Sequence, residues 1–157
     1  MIRRPATLRS SRIWPLNVLV QMTLGAGLLA LCVGLHAIVL DTVAVRLKRW
    51  VTRHTVRPKG PRRFSILVQA GVAAFLSHIL QIWIWALAFL WVGEFDTMEP
   101  ALYFSTASFT TVGYGDVTAS PHWRLLGSFE AAAGMLLFGL STAFLFEVMR
   151  TIWRNAD

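Results

Sequence analysis

The chain has 157 residues, 55% of them hydrophobic, with a net charge of +7 and a mean hydropathy of +0.56. A soluble domain of this length would carry more charge and shorter apolar runs. The positive balance does not imply nucleic acid: eight of the fifteen basic residues lie in residues 46–63, from Arg46 to Arg63, and four more in the first twelve, beside apolar runs and with no aromatic-basic platform, so membrane surface is the partner this distribution fits.

Three stretches, residues 16–40, 64–92 and 125–146, run with almost no charge. At ~1.5 Å per residue each can cross a hydrocarbon core of ~30 Å as a helix. The expected class is therefore an all-α integral membrane protein, multi-pass, in the cell membrane. The single cysteine, Cys32, lies inside the first run and reads as a buried, inert thiol.

Arg3, Arg4, Arg9 and Arg12 precede the first run, as in a signal peptide, but the run is too long for one and no small-residue cleavage site follows. It reads as a membrane helix. Ala26, Ala30 and Gly34 recur at four-residue spacing and predict a small-residue face for helix packing. Residues 44–56 mix Val, Leu and Trp with cations and are expected along the inner interface. Pro58, Gly60 and Pro61 then predict a turn. Arg46, Arg49, Arg53 and Arg57 do not read as a voltage sensor: Lys48 and His54 interrupt the gaps, and Asp41 is the sole acid on the preceding span.

The second run ends in Trp83, Trp85 and Trp91, of which Trp91 marks a membrane–water boundary. His78 sits in mid-span beside Ser77 and Gln81. It is read as a neutral imidazole hydrogen-bonded to a neighbouring helix, with a proton-sensing group as the sharper alternative.

The connection to the third run carries Glu94, Asp96, Glu99 and Asp116 against one cation, Arg124. Residues 99–110 have a short apolar helical pattern, with Pro100 in a first turn where its missing N–H is not needed. Such a helix is too short to span. Followed by the glycine-rich Thr110-Thr111-Val112-Gly113-Tyr114-Gly115-Asp116, it is allowed at membrane depth only if protein buries it or it lines water. The connection is expected to re-enter.

Short helix, TTVGYGD and flanking spans together resemble the pore module of tetrameric potassium channels, over residues 64–149. The resemblance divides the chain into a basic N-terminal part, residues 1–63, and a pore domain, residues 64–157. The pore domain has an outer helix at 64–92, a pore helix at 99–110, a selectivity filter at 111–116 and an inner helix at 123–150. It implies a homotetramer conducting K+ passively, with K+ as permeant ion and no cofactor, enzyme chemistry, small-molecule substrate or nucleic acid. Backbone carbonyls of Thr111, Val112, Gly113 and Tyr114, with the Thr111 hydroxyl, would replace the ion's water. Gly113 and Gly115 would supply the left-handed dihedrals that turn successive carbonyls the same way. Tyr103, Phe104 and Thr110 would support the filter, with the Tyr114 ring against Tyr103 and Phe104, and Asp116 and the other acids would concentrate cations at the mouth. Some members place a carboxylate on the pore helix where this chain has Ala107. On the inner helix, Gly134 would act as a hinge or permit close contact. Met135, Phe138, Thr142 and Phe146 would line the cavity, Phe146 forming the narrow gate, and Glu130 has no assigned role.

The resemblance puts the Gly113–Gly115 end of the filter outside and residues 46–63 inside, against anionic lipid, in agreement with the positive-inside rule. The four N-terminal arginines then lie outside if the first run spans; a first segment lying in the interface is the alternative. A weakly selective cation channel and a non-conducting membrane assembly subunit are the competing functions. The few residues after the last span are expected to hold no nucleotide- or calcium-binding domain. The stimulus is open.

Overall fold

The computed structural model describes residues 13–53 and 61–154. The described residues form four helices: α1 (Ile13–Arg53), α2 (Pro61–Trp91), α3 (Met98–Phe109) and α4 (Arg124–Arg154). Three of them, over Asn17–Arg49, Pro61–Trp91 and Arg124–Trp153, are long and apolar enough to cross a membrane. The arginines at positions 3, 4, 9 and 12, and the turn predicted at 58–60, lie outside the described residues.

Helix boundaries follow local chemistry. α2 starts at Pro61, where a proline's absent N–H is one of those a helix start leaves unpaired anyway. It ends in a Schellman arrangement, with Glu94 N–H donating to Phe89 O at 2.9 Å, Gly93 N–H to Leu90 O at 3.0 Å, and Gly93 at φ 74°. α3 begins after an extended Thr97 and carries Glu99 in its first turn, where the helix dipole favours an acid. Its 12 residues give ~18 Å of helix, well short of a bilayer core.

Helices α1 and α3 both pack against the α2–α4 pair. The main core joins Cys32, Ile82, Trp85, Phe89, Phe104, Phe109, Leu126, Ala133 and Leu137 from all four helices. A second cluster of Ala70, Val148 and Ile152, bordered by Val43, Leu47, Ile66 and Leu67, closes the other end. Over its first two-thirds α2 buries small or polar residues, Ala70, Ala74, Ser77, His78 and Gln81, while Val68, Phe75 and Leu76 are exposed. That inversion suits a helix whose outer solvent is lipid.

One expectation for α1 is corrected, and another is not met within the chain. The segment after residue 43 does not leave the helix to lie in the interface: α1 continues to Arg53 because Val43 and Leu47 find Ile66, Leu67, Val148 and Ile152 to pack on. The face of Ala26, Ala30 and Gly34 is exposed in the chain, and Gln21, Gly25, Cys32 and His36 form the buried stripe, with Gly25 seated on the Phe129 ring.

The direction of α1 is also resolved. Gln21 Oε1 accepts from the N–H groups of Leu125 and Leu126, both at 3.1 Å, and so caps the start of α4 from another helix. Asn17 Nδ2 donates to the His122 carbonyl at 3.2 Å. α1 therefore starts at the level of the α3–α4 connection, runs parallel to α4, and ends among the basic residues of the opposite end. It crosses the bundle rather than lying across it.

Candidate functional site

The site is the connection from the end of α3 to the start of α4. α3 is seated by Gly134: a Cβ there would stand 1.8 Å from the Phe109 carbonyl oxygen, so α4 and the end of α3 meet backbone to backbone. Gly134 thus makes a close contact, one of the two roles expected for it, and α4 runs through it without interruption.

Beyond Phe109 the chain turns tightly. The Thr110 hydroxyl donates to Thr106 O at 2.6 Å, Thr111 N–H to Ser108 O at 2.9 Å, and Gly113 N–H to Ala107 O at 3.0 Å. Every second residue is then left-handed: φ is 59° at Thr111, 54° at Gly113 and 79° at Gly115. Glycine meets no Cβ penalty there, but Thr111 is β-branched, and its left-handed φ is strained backbone that the surrounding contacts must hold. Residues 111–116 are exposed throughout, with the Val112 and Tyr114 side chains 53% and 75% accessible.

The mouth of the connection is braced by two carboxylates. The Tyr103 hydroxyl donates to Asp116 Oδ2 at 2.7 Å, and Val117 N–H to Asp116 Oδ1 at 3.1 Å. The tyrosine's hydroxyl holds the Asp116 carboxyl below the usual carboxylate range, and the same bond holds the Tyr103 phenol above its ordinary value. Glu94 accepts from the backbone N–H of Ser120 and from its hydroxyl, the latter at 2.8 Å, tying the end of α2 to the start of α4.

Not every expected residue meets its expected partner. Phe104 does not face Tyr114 within the chain. It lies on the buried side of α3, edge-on to Phe89 at 5.1 Å and 5.3 Å from Phe95, with its ring tip over Gly127. Tyr103 engages Asp116 instead of the Tyr114 ring. On α4, Met135, Thr142 and Phe146 share an exposed face, Met135 at 67% and Phe146 at 60%. Phe138 stands at its margin, because its ring packs on His78 at 4.5 Å and Phe109 at 5.7 Å.

Sequence reasoning passed over His36, Ser141, Gln21 and the Tyr103–Asp116 pair. The signal for the first three was polar residues at buried helical spacing within apolar runs; for the last it was only a phenol thirteen positions before a carboxylate. Among the described residues no group of three or more metal-ligating side chains gathers.

The family model for ion channels matches residues 73–151, from the first half of α2 to near the end of α4. No curated protein and no solved structure matches the chain. Three helices able to cross a membrane, with a half-length helix and turn between the last two, agree with that match, and the chain belongs to the ion channel family as a multi-pass membrane protein.

Proposed function

We propose that the chain is one quarter of a potassium-selective channel in the cell membrane, conducting K+ passively through a fourfold ring of the 111–116 segment. The observation that carries this reading is the alternation of left-handed φ at Thr111, Gly113 and Gly115 in a segment exposed along its whole length. An ordinary strand points successive carbonyls to opposite sides. Inverting the sign of φ at alternate residues removes that alternation, so the carbonyls of Thr111, Val112, Gly113 and Tyr114 can line one side of the chain. A dehydrated monovalent cation needs several such oxygens at once, more than one chain offers, and four symmetric copies supply them.

The rest of the site fits that role. The C-terminal end of α3 carries the negative pole of its helix dipole and lies at the root of the segment. Thr110 and the Phe109–Gly134 seat hold that root, Asp116 stands at the mouth, and Met135, Thr142 and Phe146 supply the wall of an inner passage with Phe146 as its constriction. At the far end, a cavity of about 480 Å³ between α1 and α2 is lined by Arg46, Arg62, Ser65 and Gln69 beside Val43, Leu47 and Ile66. Its cations and apolar wall suit the headgroup and chain of an anionic lipid.

Liposomes loaded with K+ and carrying the purified full chain test the reading. K+ efflux blocked by Ba²⁺, with Na+ flux far smaller, is expected. Equal Na+ and K+ flux would replace the selective channel with a weakly selective one, and absence of flux under every condition would overturn conduction.

A further inference from the structure

At mid-depth three helices are tied by five buried polar side chains that the proposed ion path does not use: His36 of α1, Ser77, His78 and Gln81 of α2, and Ser141 of α4. The two imidazoles stack, with centroids 4.8 Å apart and planes inclined by 21°. His36 reaches Ser77 Oγ through Nδ1 at 3.0 Å and Ser141 Oγ through Nε2 at 2.9 Å. His78 reaches Gln81 Oε1 through Nδ1 at 3.1 Å and the same Ser141 hydroxyl through Nε2 at 2.9 Å. Gln81 Nε2 donates to Ser77 Oγ at 3.1 Å and closes the ring.

The chemistry of each group orders the protons. Gln81 Nε2 also donates to the Cys32 carbonyl at 3.4 Å. A carbonyl only accepts, so this contact keeps the amide nitrogen on that side and its oxygen towards His78. That oxygen also only accepts, so His78 carries its proton on Nδ1. The bare Nε2 of neutral His78 takes the Ser141 hydroxyl proton, and the Ser141 oxygen accepts from His36 Nε2–H. His36 Nδ1 is then bare and accepts from the Ser77 hydroxyl, whose oxygen accepts from Gln81. Each donor meets one acceptor, all in the same rotational sense, with the two histidines in opposite tautomers.

We propose that this ring is a one-proton binding site that fastens α4 to α1 and α2 while both imidazoles are neutral, and loosens when it takes up a proton. An added proton must go to His78 Nε2 or His36 Nδ1. Either way one serine oxygen then faces two N–H donors, and that serine's own hydrogen has no acceptor left in the ring, only a carbonyl of its own preceding helical turn. A second proton would stack two cations in a low-dielectric interior, so the pair titrates as a unit. The neighbouring groups supply no counter-charge among the described residues. On α1, Cys32 is one turn away and Asp41 is exposed; on α2 only His78 titrates nearby. α3 presents the Phe109 ring, 5.9 Å from His78. On α4, Glu130 lies beside Ser105 and Glu147 is exposed and paired with Arg150 at 2.9 Å. Ser141 stands on α4 between Gly134 and Phe146, so loosening it frees the half of α4 that carries the proposed constriction, and acid favours the open pore.

The test uses full-length protein with ¹⁵N-labelled histidine in lipid vesicles, the resonances assigned through His54→Asn and His122→Asn variants. In alkaline buffer one of the two buried histidines should show Nδ1–H and the other Nε2–H. On acidification the pair should take up a single proton per chain. K+ efflux should rise over the same interval, on the order of tenfold, the scale of about one interhelical hydrogen bond weakened as two donors come to share one serine oxygen. Ser141→Ala and, independently, Ser77→Ala should abolish the opposite-tautomer pattern and flatten the pH dependence. Identical tautomers, two protons taken up independently, or an unchanged pH dependence in both serine variants would overturn the proposal. The efflux arm rests on the conduction reading; vesicles passing no ion at any pH would overturn that reading alone, the tautomers still deciding the proton site.

Discussion

Two polar clusters occupy the same interior, one helical turn apart along α1 and α2, and they are built in opposite ways. In the lower one, His36, Ser77, His78, Gln81 and Ser141 give every donor an acceptor. In the upper one, Trp85 Nε1, Ser105 Oγ and both carboxyl oxygens of Glu130 are buried with no well-formed hydrogen bond among the described residues, although the Ser105 hydroxyl lies beside that carboxyl and the Cys32 thiol borders the indole. In a membrane interior a paired polar group joins helices, whereas an orphaned one costs about 1–3 kcal/mol. The lower cluster is therefore a clamp. The upper one is a weak point, and it lies against α3, which leads into the 110–116 segment.

Gly134 stands on α4 between the two clusters, four residues after Glu130 and seven before Ser141, and changing it should have the largest effect. In Gly134→Ala the new methyl meets the Phe109 carbonyl at 1.8 Å, and because the obstacle is backbone, α3 and α4 must part. The expected loss is about 3 kcal/mol or more, read as a fall in the denaturant midpoint of detergent-solubilised protein together with loss of ion flux. Full stability in this variant would show that α3 is not seated as described.

Gln81→Leu comes next and attacks the lower cluster alone. It removes the donor to Ser77 and the acceptor from His78 and leaves both buried, so a loss of about 2–4 kcal/mol is expected by the same unfolding measurement. Glu130→Met attacks the upper cluster and should differ in sign. An apolar side chain of similar length relieves two orphaned oxygens, and a change between neutral and ~2 kcal/mol of stabilisation is expected. If Glu130→Met destabilises as much as Gln81→Leu, the contrast fails and the carboxyl has a bound partner, most simply a buried water shared with Ser105 and Trp85.

These contrasts mark what the sequence could and could not disclose. The three spans, the half-length α3 and its proline at Pro100 were legible because hydropathy, helix rise and proline chemistry are local properties. So was the need for left-handed backbone at Gly113 and Gly115; Thr111 was not, since a threonine in that conformation is imposed by its neighbours rather than chosen by its side chain. His78 was legible as a residue needing a partner, but beyond Gln81 of its own helix its hydrogen-bond partner is Ser141 of α4, 63 residues away, and the ring it stacks on is His36 of α1. The side of α1 that packs within the chain was not read, because its signal was not small size but Gln21 and His36, which turn inward to hydrogen-bond. Phe104 was paired with Tyr114 through the family resemblance, yet within the chain helical geometry points it into the core with Phe89.

The smallest effect expected is at the exposed Tyr103–Asp116 pair, which sharpens the comparison because water screens it while both interior clusters are dry. The Tyr103 hydroxyl is the main cause that holds the Asp116 carboxyl below its ordinary range, so the contact's stabilising effect is complete above ~pH 3.9, the ordinary aspartate value, and is lost as pH falls through the depressed one. On the alkaline side the Tyr103 phenol is held up by the same bond; its effect is complete below ~pH 10 and lost as pH rises through the raised value. Tyr103→Phe removes the alkaline limb and shifts the acid one. Ion flux measured against external pH should then begin its acid decline at a higher pH than in the parent protein, with the alkaline decline gone and activity near neutrality little changed. A Tyr103→Phe profile that superimposes on the parent's would mean that Asp116 is set by its own backbone contacts, and that Glu94, through Ser120, braces the outer end of the connection without help from α3.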